Sequence, residues 1–214
     1  MLKDKLVSPL DSRYSNKIDE INYLFSESYL NKTRLLVELN WLLYLCKKLP
    51  NNFKKLSIVN QKLINRIIDN FNQNDAKQIK KIEKKTNHDV KAVEYYLKEK
   101  FDALNLSEFK EFIHFGLTSQ DINNTAIPIS IKEALDDIYY PFINELLKLL
   151  KAKAKSWENI SMLARTHGQA ASPTRMGKEI TVFIERIEQQ LVLLKTLLNL
   201  KDKKQLLKLN IMII

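Results

Sequence analysis

Apolar side chains recur at helical spacing along most of this 214-residue chain. Residues 24–49 carry them densely enough to predict a buried helix, and residues 54–71 form a second, amphipathic stretch. Residues 75–83 are short and polar, whereas residues 90–100 again place apolar side chains on one helical face. The first half of the chain therefore predicts several packed helices.

From about residue 112 the predicted helices become longer. Thr118 can cap the helix that follows it, and Asp121 three positions later completes a pattern close to a capping box. Pro141 suits the first turn of another helix. The expected core face of that helix consists of Phe142, Leu146, Leu149 and Leu150.

Ser172 and Pro173 predict the start of the longest helix, with Ser as the N-cap and Pro at the first helical position. An apolar stripe then recurs every three or four residues, at Met176, Ile180, Phe183, Ile187, Leu191, Leu194 and Leu198. A stripe of about seven turns needs partner helices, from this chain or from other subunits. The pattern predicts an all-α fold with a domain boundary near residue 111.

Composition narrows the class of protein. Only three Gly and five Pro argue against a loop-rich or all-β architecture, and the single cysteine, Cys46, excludes an intramolecular disulfide and is expected to be a core thiol. Residues 1–5 lack the apolar stretch of a secretory signal, and no run approaches the roughly 20 apolar residues that span a bilayer. We expect a cytoplasmic protein with no membrane partner.

The net charge of +10 has two interpretations. It fits an anionic partner such as a nucleotide or a polycarboxylate. It also fits A/T-rich coding, because Lys, Asn and Ile are all frequent. The basic residues are scattered and form no recognition motif, so we expect no nucleic-acid partner.

The three histidines lie in short polar or glycine-containing segments, and histidine is the side chain whose ordinary pKa is nearest neutrality. His167 lies in Arg165–Gln169, which could hold a carboxylate or could simply be a capping turn. His88 lies between an amide and a carboxylate that could fix its tautomer, or it marks a surface helix start. His114 lies between apolar residues and is interpreted as structural.

Thr118 and Ser119 open a helix, where hydroxyls and free backbone N–H groups make an anion site, although an ordinary N-cap has the same pattern. No His and Cys spacing predicts a metal site, and no glycine-rich phosphate loop is present. We therefore expect neither a metal nor a cofactor.

Taken together, these segments resemble the adenylosuccinate lyase family of the fumarase and aspartase superfamily. The resemblance runs from Ser8 to about Leu198. It is carried by residues 8–14 (SPLDSRY), 85–95 (KTNHDVKAVEY), 111–124 (EFIHFGLTSQDINN), 165–169 (RTHGQ) and 177–179 (GKE). The segment from Asn87 to Tyr95 is the one most specific to adenylosuccinate lyase.

The resemblance implies a small N-terminal helical domain, residues 1–111, followed by the first long helices of a central helical bundle, residues 112–214. It implies β-elimination of fumarate from adenylosuccinate, which leaves AMP, and from succinyl-aminoimidazole-carboxamide ribotide, in AMP and IMP biosynthesis. The family is homotetrameric. His167 would be the general acid and His88 would assist at the substrate. The implied substrate-binding residues are Arg13, Tyr14, Asn87, Asp89, Thr118, Ser119 and Gln169.

The chain also departs from the family pattern. Family members are about twice as long, and their catalytic serine loop and C-terminal domain have no counterpart here. Residues 201–214 differ from the family's Gly- and Asn-rich segment, which suggests a lost reading frame near residue 200. We expect the chain to be inactive alone. The alternatives are a non-catalytic helical module that co-assembles with a full-length lyase, and another lyase of the superfamily.

Overall fold

The computed structural model describes residues 8–49, 53 and 55–211, with side chains described as far as residue 196. The chain forms two compact units, Met1–Tyr139 and Tyr140–Ile214. The domain boundary predicted near residue 111 lies inside the first unit and stays a prediction. No described helix is both long and apolar enough to cross a membrane.

The first unit is helical throughout its regular elements. Its helices are α1 (Asp19–Leu24), α2 (Glu27–Lys48), α3 (Ile58–Asp69), α4 (Gln73–Thr86), α5 (Asp89–Ala103) and α6 (Ser119–Glu133). Short 3-10 turns lie at Ser15–Lys17 and Ser107–Phe112, and a π-helical segment at Ala134–Tyr139 follows α6. The all-α prediction is confirmed, and the polar stretch 75–83 is also helical, as part of α4.

Helix α2 is the central element of this unit, because it packs against α3, α4, α5 and α6. Leu35, Leu39 and Leu42 lie fully buried at successive turns of α2, in the same apolar cluster as Val93 and Leu97 of α5. Each such leucine contributes about 1.5–3 kcal/mol when fully buried. The thiol of Cys46 belongs to the same cluster, as the sequence predicted.

The second unit contains a hairpin between two long helices. Its elements are α7 (Tyr140–Ser156), β1 (Ser161–Thr166), β2 (Gln169–Arg175) and α8 (Met176–Ile211). The prediction of a helix start at Ser172 and Pro173 is wrong, because both residues lie in β2 and the helix begins at Met176. Pro173 pairs with Leu163 in a two-stranded sheet, where both strands are edges and proline is tolerated.

Helices α7 and α8 pack along one narrow apolar seam. The seam consists of Ile143, Leu147, Leu150 and Ala154 of α7 with Ile180, Ile184, Ile187 and Leu191 of α8. The predicted core positions Phe142, Leu146, Leu149 and Phe183 are instead exposed, Phe142 by 68% and Phe183 by 59%. The reason is geometric: with one partner helix in this unit, each helix buries a single stripe of its broader apolar surface. The predicted stripe member Leu198 lies outside the described side chains.

Gly177 sets how closely the start of α8 approaches the end of α7. A Cβ at this position would lie 2.8 Å from Glu158 Cα, and it would also clash with the carbonyl oxygen of Ala154. The Gly177 N–H donates to the Trp157 carbonyl at 3.1 Å, and the Met176 N–H donates to the Ile160 carbonyl at 3.0 Å. These bonds close the loop that carries the hairpin.

Candidate functional site

His88 is the N-cap of α5, a position that Ser, Thr, Asp or Asn usually takes. Its Nδ1 accepts a hydrogen bond from the Lys91 backbone N–H at 3.2 Å. Because Nδ1 serves as an acceptor, the proton of the neutral ring sits on Nε2. The residue before it, Asn87, has a left-handed backbone with φ of 49° and ends α4, so the chain turns sharply into the histidine.

The Nε2 atom of His88 meets the first residue of α6. Ser119 Oγ lies 3.4 Å from Nε2, although the two residues are 31 positions apart in sequence. The His88 ring is about half exposed, so a ligand can reach it. Two helix N-termini therefore meet around an imidazole and a hydroxyl, and both ends carry partial positive charge from the helix dipole.

Thr118 caps α6 through Asp121, as the sequence predicted. The backbone N–H of Thr118 donates to Asp121 Oδ2 at 2.7 Å, and its hydroxyl donates to the same oxygen at 2.8 Å. The hydroxyl of Thr118 is thus engaged within the cap, whereas that of Ser119 is turned to His88. This difference makes Ser119 the hydroxyl of the pair that is available to a ligand.

Arg34 of α2 lies beneath the junction of α5 and α6 and is only 6% exposed. Its Nη2 contacts Asp89 Oδ2 at 2.5 Å, its Nε donates to Asn123 Oδ1 at 2.9 Å and its Nη1 donates to Asn31 Oδ1 at 3.3 Å. Burial alone would raise the pKa of Asp89. The hydrogen bond from the Val90 N–H and the adjacent Arg34 charge outweigh that effect and hold this pKa below its ordinary value.

Glu38, one turn after Arg34 on α2, has no exposed surface. Its Oε1 lies 2.5 Å from His114 Nδ1, and its Oε2 accepts the His114 backbone N–H at 3.0 Å. The hydrogen bond to Glu38 raises the pKa of His114 against the opposing effect of burial. Glu38 thereby fixes the loop of residues 113–117 that leads into α6, which agrees with the structural interpretation of His114.

A second buried carboxylate, Glu94, lies on α5. Lys91 and Lys98 bind its two oxygens at 2.7 Å and 3.2 Å. Burial would raise the pKa of Glu94, but the hydrogen bonds from these two lysines lower it below its ordinary value. The charges beside the His88 turn are therefore paired.

The RTHGQ segment forms the tip of the hairpin in the second unit. His167 and Gly168 both have positive φ, 51° and 78°, which is the signature of a two-residue type I′ turn. Thr166 pairs with Gln169 across the turn. The structure thus presents His167 and Gln169 as exposed side chains on a tight turn, and each unit carries its own group of predicted site residues.

Arg13 and Tyr14 lie in the first unit, next to the 3-10 turn at Ser15–Lys17. The Arg13 guanidinium stacks 5.4 Å above the Tyr14 ring, and both side chains are exposed. Across the residues that the structure describes, no three His, Cys, Asp or Glu side chains are grouped as a metal site.

Sequence reasoning missed Arg34, Glu38 and Asn123. None belongs to a compact motif with the residue that it holds, since the partners are 55, 76 and 89 positions away. One signal was available: Arg34 and Glu38 are charged residues, spaced i and i+4, inside the apolar run predicted as a buried helix.

A separate cavity of about 450 Å³ lies between α3, α4 and α5. In its wall the Tyr96 hydroxyl donates to Asp75 at 2.7 Å, and Lys100 donates to the same oxygen at 3.0 Å. Burial, with the hydrogen bond to Asp75, raises the pKa of Tyr96. Because these polar groups satisfy one another, we assign them to the packing of the unit.

Comparison with known proteins identifies the family. The sequence model of the family described as Lyase matches residues 12–208. The chain is 48% identical over 192 residues to adenylosuccinate lyase of Dictyostelium discoideum, covering 86% of this chain and 41% of that protein. It is 44% identical over 186 residues to adenylosuccinate lyase of Vibrio cholerae, with the same coverage. The chain belongs to this lyase family, within the fumarase and aspartase superfamily.

Solved structures agree at the level of the fold. The fumarate lyase of Mesorhizobium sp. BNC1 superposes with a TM-score of 0.67 at 20% identity, covering 83% of this chain and 39% of that chain. The β-carboxy-cis,cis-muconate cycloisomerase of Acinetobacter calcoaceticus gives 0.61 at 18% identity, covering 81% and 39%. The fumarase- and aspartase-like fold is confirmed. The chain spans about two fifths of the length of these relatives.

Proposed function

We propose that this chain carries part of an adenylosuccinate lyase site. The observation that supports this most directly is the pairing of His88 with Ser119 at two helix N-termini, inside two of the segments that carry the resemblance to adenylosuccinate lyases. A substrate with two carboxylates and a phosphate is complementary to such helix ends and to the net charge of +10.

The proposed reaction is a β-elimination. A base removes the proton from the carbon next to a carboxylate, the carbon–nitrogen bond breaks, and its electrons pass to the departing nitrogen. His167 would protonate that nitrogen as the general acid. Adenylosuccinate would give fumarate and AMP, and the succinyl-aminoimidazole-carboxamide ribotide would give fumarate and the carboxamide ribotide.

Binding of the substrate would be shared among the remaining predicted residues. Ser119 would hold a carboxylate oxygen at the start of α6, where negative charge develops during proton removal. The Thr118 hydroxyl would do the same by exchanging its bond to Asp121 for one to the substrate. His88 would donate from Nε2 to the substrate in place of Ser119. Arg13 and Tyr14 would contact the nucleotide phosphate. Asn87, Asp89 and Gln169 would supply further contacts.

The proposal is tested by following fumarate release from adenylosuccinate. We expect no turnover by the 214-residue chain alone, because it covers only 41% of the length of the adenylosuccinate lyase of Dictyostelium discoideum. Turnover by the purified chain that is lost on His167→Ala would show that this expected inactivity is wrong.

A complementation assay tests the site itself. The chain is co-expressed with a full-length relative in which the histidine aligned with His167 is replaced by alanine. Recovered fumarate release, absent when the chain carries His167→Ala, supports the proposal. Soluble mixed assemblies with no recovered activity contradict it.

A second candidate function is a non-catalytic helical module that co-assembles with a full-length lyase subunit. The observation that favours it is the exposed apolar surface of the second unit, which includes Phe142, Leu149, Phe183, Val192 and Leu193. Co-purification with a full-length relative would support this function if His167→Ala changes neither assembly nor activity.

A further inference from the structure

We propose that Arg34 is a positioning residue that sets the distance between His88 and Ser119. The effect of Arg34 on catalysis rests on the proposed function, whereas its effect on the geometry of the site does not. The polar partners of Arg34 are Asn31, Asp89 and Asn123, so it hydrogen-bonds to neither of the two residues. It acts on the neighbours that determine where each of them lies.

The first contact of the Arg34 guanidinium is with the start of α5. Asp89 is the residue directly after the N-cap His88, and its Oδ2 contacts Arg34 Nη2 at 2.5 Å. The Asp89 carboxylate is 3.6 Å from His88 Nδ1, beyond hydrogen-bond distance, so Arg34 is its closest charged partner. A guanidinium held here fixes the first turn of α5, and with it the direction of the His88 ring.

The second contact of the Arg34 guanidinium is with the start of α6. Asn123 is one turn after Ser119, and its Oδ1 accepts from Arg34 Nε at 2.9 Å. The third contact is a hydrogen bond to Asn31, a buried residue of the same helix, α2. The planar guanidinium group thus donates to three acceptors, one each on α2, α5 and α6, and its donors have fixed relative directions.

Lysine would keep the charge but could not reproduce this geometry. Its ammonium is a compact point charge on a flexible stem, so it can neutralise Asp89 without holding Asn123 at a defined distance. The distinction matters in catalysis, where a displacement of about 1 Å can change a rate by about 100-fold.

The test uses the complete 214-residue chain with histidine-selective isotope labelling. Only three histidines are present, so their ring signals are assigned with His88→Gln and His167→Gln variants. The readout is the nuclear Overhauser effect between the His88 ring protons flanking Nε2 and the Ser119 β-protons. In the unsubstituted chain this signal is expected, because the two groups lie 3.4 Å apart.

Two variants and one matched control are compared below their unfolding temperatures. Arg34→Lys and Asn123→Ala should each lose most of the His88–Ser119 signal. Asn124→Ala removes the same side chain at the next position of α6, where it bonds to Gln120 instead, and should retain the signal. If Arg34→Lys does not fold, Asn123→Ala against Asn124→Ala decides the question.

The proposal is overturned if the unsubstituted chain lacks the signal, or if Arg34→Lys or Asn123→Ala keeps it at full intensity. It is also overturned if Asn124→Ala loses the signal equally, since that would indicate general weakening of α6. No substrate is needed. A chain that shows the expected pattern but fails complementation retains the positioning role and loses the proposed reaction.

Discussion

Replacing His114 with asparagine isolates the contribution of the buried Glu38–His114 pair. The His114 backbone has φ of 59°, a left-handed conformation that asparagine adopts with little strain. The backbone N–H would still donate to Glu38 Oε2, and the neutral asparagine amide could donate to Oε1 in place of the ring nitrogen, which lies 2.5 Å away. The variant therefore leaves a carboxylate with no exposed surface and without the positive charge of His114.

We expect the free energy of unfolding to fall by about 1.5–3 kcal/mol, the usual contribution of a hydrogen bond to a charged group, because the buried carboxylate keeps only neutral donors. The double variant Glu38→Gln with His114→Asn should recover part of this loss, because no charge is then buried. Neutral replacement of both partners is commonly far less costly than breaking the pair.

The stability that the Glu38–His114 pair contributes should fall as the pH rises. The folded pKa of His114 is raised above its ordinary value of 6.5 by Glu38, against burial, with smaller influences from Glu94 and Lys91 of α5. A raised pKa stabilises the fold fully below the unfolded pKa, and this stability is lost as the pH rises through the folded pKa. The difference between the original chain and His114→Asn should thus be larger at pH 6 than at pH 9.

Tryptophan fluorescence provides a local assay. The chain has two tryptophans, and Trp157→Phe leaves Trp41, whose indole N–H donates to the Phe115 carbonyl at 2.8 Å beside the substituted residue. Urea unfolding in this background reports on the first unit. A loss below about 1 kcal/mol, the level of an exposed ion pair, would refute the reasoning, as would a difference that grows between pH 6 and pH 9.

Three further substitutions test the local geometry. Gly177→Ala should destabilise the second unit by about 1–3 kcal/mol through overpacking, measured by Trp157 fluorescence against the exposed control Lys178→Ala; equal effects would contradict the close approach. Gly168→Ala should cost about 1–2 kcal/mol, since its left-handed conformation disfavours a Cβ, and unchanged unfolding would exclude the type I′ turn. Asp121→Asn should weaken the α6 cap by about 1 kcal/mol, measured by urea unfolding, and no loss would contradict the capping box.

The helices of the first unit were predictable because local periodicity and capping chemistry agree with their tertiary environment. The stretches 24–49 and 54–71 contain α2 and α3 entirely, and the stretch 90–100 contains most of α5. The Thr118 cap was visible in four consecutive residues. Helices with partners on several sides bury a broad face, so an apolar stripe in the sequence corresponds to a buried stripe in the structure.

The second unit was predicted less well for two physical reasons. Ser172 and Pro173 have the chemistry of a helix start, but pairing between β1 and β2 across the His167–Gly168 turn overrides that local preference. The apolar surface of α7 is wider than the seam that α8 covers, so the sequence could not tell Leu147 from Leu146. Local pattern indicates which side chains are apolar, whereas the number of packed neighbours determines which of them are buried.

The residues of the candidate site were likewise predictable only where a short local motif identifies them. His88 and His167 stand out because histidine is rare in this chain, and Ser119 stands out because it opens a capping motif. Arg34 and Glu38 become meaningful only when α2 is seen beneath both turns. Placing two charged side chains on the buried face of a central helix gives up apolar burial at two adjacent turns and adds a cost of desolvation. Packing alone does not favour that arrangement. It is favoured where the turns at His88 and at Ser119 must be held at a fixed distance from each other, and α2 holds both turns.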